Sequence, residues 1–130
     1  MILADTSVWV RMLAGRAEYS AELDRLLARD QVAGHELVYG ELLVGDRGGR
    51  LRLLADYHWL PQAPRLDHHD VVAFVRARDL CGRGVGWIDM HLLASVLASG
   101  WRLWTADQRL AALADELHMG WQPLAGVAPL

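Results

Sequence analysis

Short apolar segments, each running on into a helical pattern, recur along this chain, and a sequence with that alternation is restricted to one kind of sheet. Residues 2–4, 31–34, 59–60 and 101–104 read as strands, with a last short strand near Trp121. Apolar positions at helical spacing predict helices over residues 8–13, 21–29, 35–45, 50–57, 87–99 and 109–117, and another capped by Asp67 or His68. Strands separated by helices run parallel, with the helices on both faces. The expectation is therefore an α/β fold, a three-layer α/β/α arrangement around a short parallel sheet of about five strands. At 130 residues, 1–130 is expected to form a single domain with a sizeable core.

The helical patterns also assign faces. Leu23, Leu26 and Leu27 should point inward with the charges of 21–29 opposite, as should Leu51, Leu54 and Ala55, and then Val71, Val72, Phe74 and Val75. The helices over 35–45 and 87–99 are apolar nearly all round, which predicts that both are buried.

Four acids interrupt this apolar plan. Asp5 closes the first strand, Glu41 lies inside LVYGELLVG, Asp89 inside GWIDMHLLASVL, and Asp107 follows LWT. Asp5 and Asp107 could serve as helix N-caps, and Asp89 could complement a helix dipole. Glu41 has neither explanation, and no arginine lies within four residues of it. In parallel sheets ligands bind beyond the carboxyl ends of the strands, where Asp5 and Asp107 fall. Two carboxylates about 4 Å apart repel by roughly 4 kcal/mol at an effective dielectric near 20, so converging acids call for a cation. Magnesium and manganese suit oxygen ligands, and the pattern points to metal-dependent phosphate chemistry with one ion or two.

Composition removes competing chemistries. Lysine is absent and all 13 basic residues are arginine, so a Walker A loop or a Schiff-base lysine is excluded. Cys81 is the single cysteine, which rules out an intrachain disulfide and a cysteine-rich zinc site, and fits a reducing, cytoplasmic setting. The apolar opening is too short for a secretory signal, and no window suits a membrane span. The formal charge of −3 excludes a strongly basic nucleic-acid module. If metal consumes four of the 16 acids, 12 remain against 13 arginines, and a local arginine patch can still meet RNA.

The segments ILADTSVW, VYGELLVG, GWIDMHLLASVL and LWTADQRL resemble, in order and spacing, the PIN-domain nucleases of the VapC toxin type, over essentially the whole chain. The resemblance implies an acidic metal site of Asp5, Glu41, Asp89 and Asp107, supported by the hydroxyls of Thr6, Ser7 and Thr105. Asp115 competes with Asp107 for the fourth place. Asp107 is preferred because it sits at the strand end. The implied activity is Mg²⁺- or Mn²⁺-dependent endoribonuclease cleavage, commonly of tRNA or rRNA, by a toxin that blocks translation. Homodimers and a VapB-type antitoxin are also implied. Two rivals remain, a metal hydrolase acting on DNA or another phosphoester, and a PIN-like module without catalysis.

Other residues carry less. His35, His68, His69 and His91 lack the spacing of a recognised metal site. Arg11 and Arg16, with Arg47, Arg50 and Arg52, form either a solvated face or an RNA phosphate track. The six tryptophans belong mainly to the core or to a dimer interface, with base stacking as the alternative.

Overall fold

The computed structural model describes residues 1–123, so most of the expected loose proline-containing tail lies outside the described residues. The sheet is centred on β1 (Ile2–Ala4), flanked in parallel by β2 (Val32–Ala33) and β3 (Arg102–Trp104). Leu3 pairs with Ala33 on one side and with Leu103 on the other. Two further parallel bridges extend it, Gly34 to Gln62 and Leu103 to Gly120, at the places of the two outer strands. Gly34 donates to the Pro61 carbonyl at 2.8 Å and Trp121 to that of Leu103 at 2.9 Å. A Cβ at Gly34 would come within 2.7 Å of the Gln62 amide and 3.0 Å of the Tyr57 ring, so a side chain there would have to displace Gln62 and press on Tyr57 where the strands meet.

The helices are α1 (Thr6–Leu13), α2 (Ala17–Ala28), α3 (Glu36–Val44), α4 (Leu51–Tyr57), α5 (His68–Ala77), α6 (Trp87–Ser99) and α7 (Gln108–Glu116). The chain winds outward from β1 through β2, then returns to place β3 on the other side of β1. Right-handed crossovers therefore set α1–α4 on one face and α5–α7 on the other. The packing agrees, since α1 lies against α2 and α3, and α3 against α4, whereas α5 lies on α6 and α6 on β3. This is the expected three-layer α/β/α fold. The winding reverses between β1 and β3, and that switch point is where such sheets open a crevice at their carboxyl edge.

Helix α6 is the buried spine. Seven consecutive residues from Met90 to Val96 are buried, and Gly100, at φ 71°, ends the helix in the left-handed region. Each leucine sealed there contributes roughly 1.5–3 kcal/mol of apolar burial.

Several inward assignments are corrected. Helix α3 buries only Val38 and Leu42, while Leu43 and Val44 are 50% and 87% exposed, because α1 and α4 pack against it and, among the described residues, nothing covers its remaining side. Leu51 is 83% exposed and Ala55 is also exposed, leaving Leu54 and Tyr57 as the buried side of α4. Leu27 sits at the rim of α2, and Glu22, read as a solvent-facing charge, is buried and paired with Arg25. The pairing expected at 59–60 occurs at Gln62 instead. Trp59 lies in the turn after α4 and is 79% exposed.

Among the described residues, no helix is long and apolar enough to cross a membrane. Trp9 and Trp104 are core residues, with Trp9 edge-on to Tyr57 at 5.6 Å.

Candidate active site

At the carboxyl end of β1 the chain turns directly into α1, and Asp5 becomes the N-cap, accepting from the Val8 amide at 3.3 Å. The same carboxylate, 4% exposed, accepts from the Ser7 hydroxyl through Oδ1 and from the Thr105 hydroxyl through Oδ2, both at 2.5 Å. Those hydroxyls are themselves fixed. Ser7 Oγ accepts from the Ala106 amide at 2.9 Å, and Thr105 Oγ1 from the Asp107 amide at 3.0 Å. The loop after β3 is thus stitched to the start of α1 across the switch point, and Asp5 is held in one orientation. Burial raises its pKa, and the four hydrogen bonds from Ser7, Thr105 and the Val8 and Ser7 amides oppose that rise.

Asp107 caps α7 through Oδ1, which accepts from Leu110 at 3.0 Å, and its remaining oxygen is not used in capping. Glu41 projects from α3 at an exposed position, where its Oε1 accepts from the Thr6 hydroxyl at 2.6 Å. The expectation that Glu41 lies within a buried helix is therefore corrected; it faces the crevice from a half-covered one. Asp89 is in the first turn of α6 and half-buried.

Electrostatics link all four acids. The pKa of Asp89 is raised to about 6, first by burial and then by the negative charges of Asp5, Glu41 and Asp107. Asp115 does not act on it. Its carboxylate lies against Gly120 at the far end of α7. Among the described residues no three of His, Cys, Asp or Glu converge closely enough to ligate one ion directly. That geometry suits a hard divalent cation which takes one or two carboxylates and several waters, with the other acids bonded to the waters. The donors are all oxygens, and Asp5 presents both of its oxygens pre-oriented. The residues fit Mg²⁺ or Mn²⁺ in that form.

The arginines divide. Arg11 reaches back to the Ser7 carbonyl at 3.2 Å, beside the acids, and its guanidinium lies 5.9 Å from the Tyr19 ring; Arg16 lies 5.7 Å from the same ring. Arg50 instead donates to the Leu42 carbonyl at 2.9 Å and ties the end of α3 to the next helix. Arg47 is exposed in the turn beyond α3.

His35, weighed as a ligand, is completely buried and structural. Its Nδ1 accepts from the Leu37 amide as the N-cap of α3, which leaves Nε2 to donate to Ser95 Oγ at 3.0 Å. Burial pushes its pKa down to about 4, so it stays neutral at physiological pH. The Tyr57 hydroxyl accepts from the His35 amide at 3.0 Å. This node joins α3, which carries Glu41, to α6, which carries Asp89. Sequence reading missed it, although Ser95 was visible as the one hydroxyl at the centre of an apolar run.

A PIN domain family model matches residues 2–116. The chain is 43% identical over 120 residues, 89% of its own length and 92% of the relative's, to Ribonuclease VapC32 from Mycobacterium tuberculosis, strain H37Rv, and equally to that from strain CDC 1551. The chain belongs to the PIN-domain family, in its VapC-type branch.

Proposed function

We propose that this protein is a Mg²⁺- or Mn²⁺-dependent endoribonuclease, the toxin of a toxin–antitoxin pair, which stops translation in the cytoplasm by cutting tRNA or rRNA. The observation that carries the reading is the field at Asp89. Three other carboxylates act on it, with no cationic side chain contributing to its shift. A site that keeps uncompensated negative charge at a switch point is built for a cation. The relatives named ribonucleases support RNA as the substrate.

A bound divalent ion would supply a water acidified towards neutral pH and charge stabilisation on a phosphate oxygen. Asp89 and Asp5 would hold it, and Glu41 and Asp107 would orient its waters. Ser7 and Thr105 keep Asp5 from rotating as substrate enters. Thr6 does the same for Glu41, and Arg11 is placed to meet a phosphate of the approaching strand.

Two partners follow. The unpartnered apolar residues Leu43, Val44 and Leu51 on neighbouring ends of α3 and α4 support a homodimer. A VapB-type antitoxin would neutralise the acidic crevice, most directly with an arginine against its carboxylates.

The experiment compares RNA, single-stranded DNA and duplex DNA under identical metal conditions. RNA alone should be cut, at discrete positions, with Mg²⁺ or Mn²⁺ and not with chelator. Equal cutting of DNA would replace this reading with a general phosphodiesterase.

A further inference from the structure

On the opposite side of α6 from Asp89 lies a cavity of about 680 Å³, lined by Glu36, Arg65, Asp67, His68, Trp87 and His91 among others. Asp89 is two residues from both Trp87 and His91, about 200° around the helix, so the acids and the cavity flank the same first turn. A helix with its side chains is about 10 Å across, so a strand lying over the end of α6 with a phosphate at Asp89 can drop a nearby base into the cavity.

The lining has the composition of a base-reading pocket. Trp87 is 43% exposed, with the His91 ring edge-on at 4.9 Å and the His68 ring tilted at 5.2 Å. His91 is only 7% exposed, its ring makes no hydrogen bond among the described residues, and its Nδ1 is sealed without a partner. Asp67 occupies the N-cap position of α5, yet its carboxylate caps nothing. Arg65 pairs with Glu36 at 3.2 Å, both more than half exposed, a pairing weak enough to be exchanged for a ligand. Two carboxylates at the lining disfavour a phosphate there. They favour a neutral planar group that both donates and accepts.

We propose that this cavity binds an unpaired base of the RNA, stacked on Trp87, with guanine the base that matches it. Guanine offers adjacent N–H donors at N1 and N2 to a carboxylate such as Asp67, and an O6 acceptor to Arg65. Stacking on an aromatic ring with hydrogen bonds to the Watson–Crick edge is how single-stranded RNA is read. The proposal rests on the ribonuclease reading and makes the pocket the source of base preference beside the scissile phosphate.

The full chain carrying Asp89→Asn is titrated with the four nucleosides and with a short single-stranded RNA. The Trp87 indole N–H and the ring signals of His68 and His91 are read by NMR, with assignment from Trp87→Phe and His91→Gln. Guanosine should move these signals and bind about ten-fold tighter than uridine. In the RNA, Trp87→Ala should weaken binding about ten-fold, Trp87→Phe should retain most of it, and Asp67→Asn should flatten the preference for guanine. RNA that binds at the acids but leaves Trp87 and His91 unmoved would overturn the pocket and spare the nuclease. RNA and nucleosides that bind nowhere would overturn the pocket, and the nuclease reading would then stand or fall on cleavage by the wild type. Trp87 signals that respond to protein dilution and not to nucleosides would assign the cavity to a second copy of the chain and also overturn the proposal.

Discussion

Asp5 and Glu22 are both buried carboxylates, 4% and 1% exposed, and the fold treats them in opposite ways. Glu22 has an arginine one helical turn on, and Arg25 donates to its Oε1 through both Nε, at 2.8 Å, and Nη2. Asp5 has only hydroxyls and amides for partners, with no cation among them, and its charge joins those of Glu41 and Asp107 in acting on Asp89. Hydrogen bonds hold the Asp5 carboxylate in place without cancelling its charge. Burial of an acid is therefore no mark of a functional site by itself. The mark is burial or convergence with orientation supplied and a counter-charge withheld.

The largest effect is expected at Asp89. Asn is nearly isosteric, so Asp89→Asn should keep the fold and lose several kcal/mol of transition-state stabilisation, about a thousand-fold in metal-dependent cleavage. Glu22→Gln should leave cleavage within about two-fold, because its loss of charge stays local to α2. Next come the hydroxyls that orient Asp5. Thr105→Val should weaken metal binding, followed by calorimetry, and activity by about 10–100-fold, with Thr105→Ser retaining most of both.

Stability against pH sharpens the same contrast. The Asp89 pKa is raised in the fold to about 6 from its ordinary value of 3.8, so the native state binds more protons than the unfolded chain between those values. Metal-free protein should therefore lose stability as pH rises through about 4 to 6, and Asp5, also raised, adds to the same slope. Asp89→Asn should flatten that slope and raise the metal-free Tm at pH 7.5, and Mg²⁺ should reverse the wild-type trend. Arg25→Ala should do the opposite at the other acid, lowering Tm while leaving cleavage intact. Smallest of all, Glu41→Gln should raise the metal-free Tm slightly, because Glu41 is exposed and solvent already screens it. A fall in that Tm would count against Glu41 as a member of the cluster.

Much of this was legible in the chain. Strand–helix alternation specified the parallel sheet and its order of elements, and acids following strands pointed to the carboxyl edge. Glu41 stood out because no arginine lay near it. The same comparison would have found Glu22, since Arg25 sits three residues later, but its charged neighbours suggested a solvated face. Periodicity could not choose a side for α3, which is apolar nearly all round, and so could not foresee that one side of it stays open. Arg50 reads as a free surface cation until tertiary folding brings it to the Leu42 carbonyl. His35 and Ser95, 60 residues apart, meet only once α3 and α6 pack.

The most direct measurement is cleavage of total cellular RNA by purified, partner-free protein, with Mg²⁺ or chelator, beside Asp89→Asn and Glu22→Gln, with the new RNA ends mapped. Discrete Mg²⁺-dependent ends should come from the wild type and Glu22→Gln, and none from Asp89→Asn. Ends that persist in Asp89→Asn, or in chelator, would rule out a metal-dependent site at these acids.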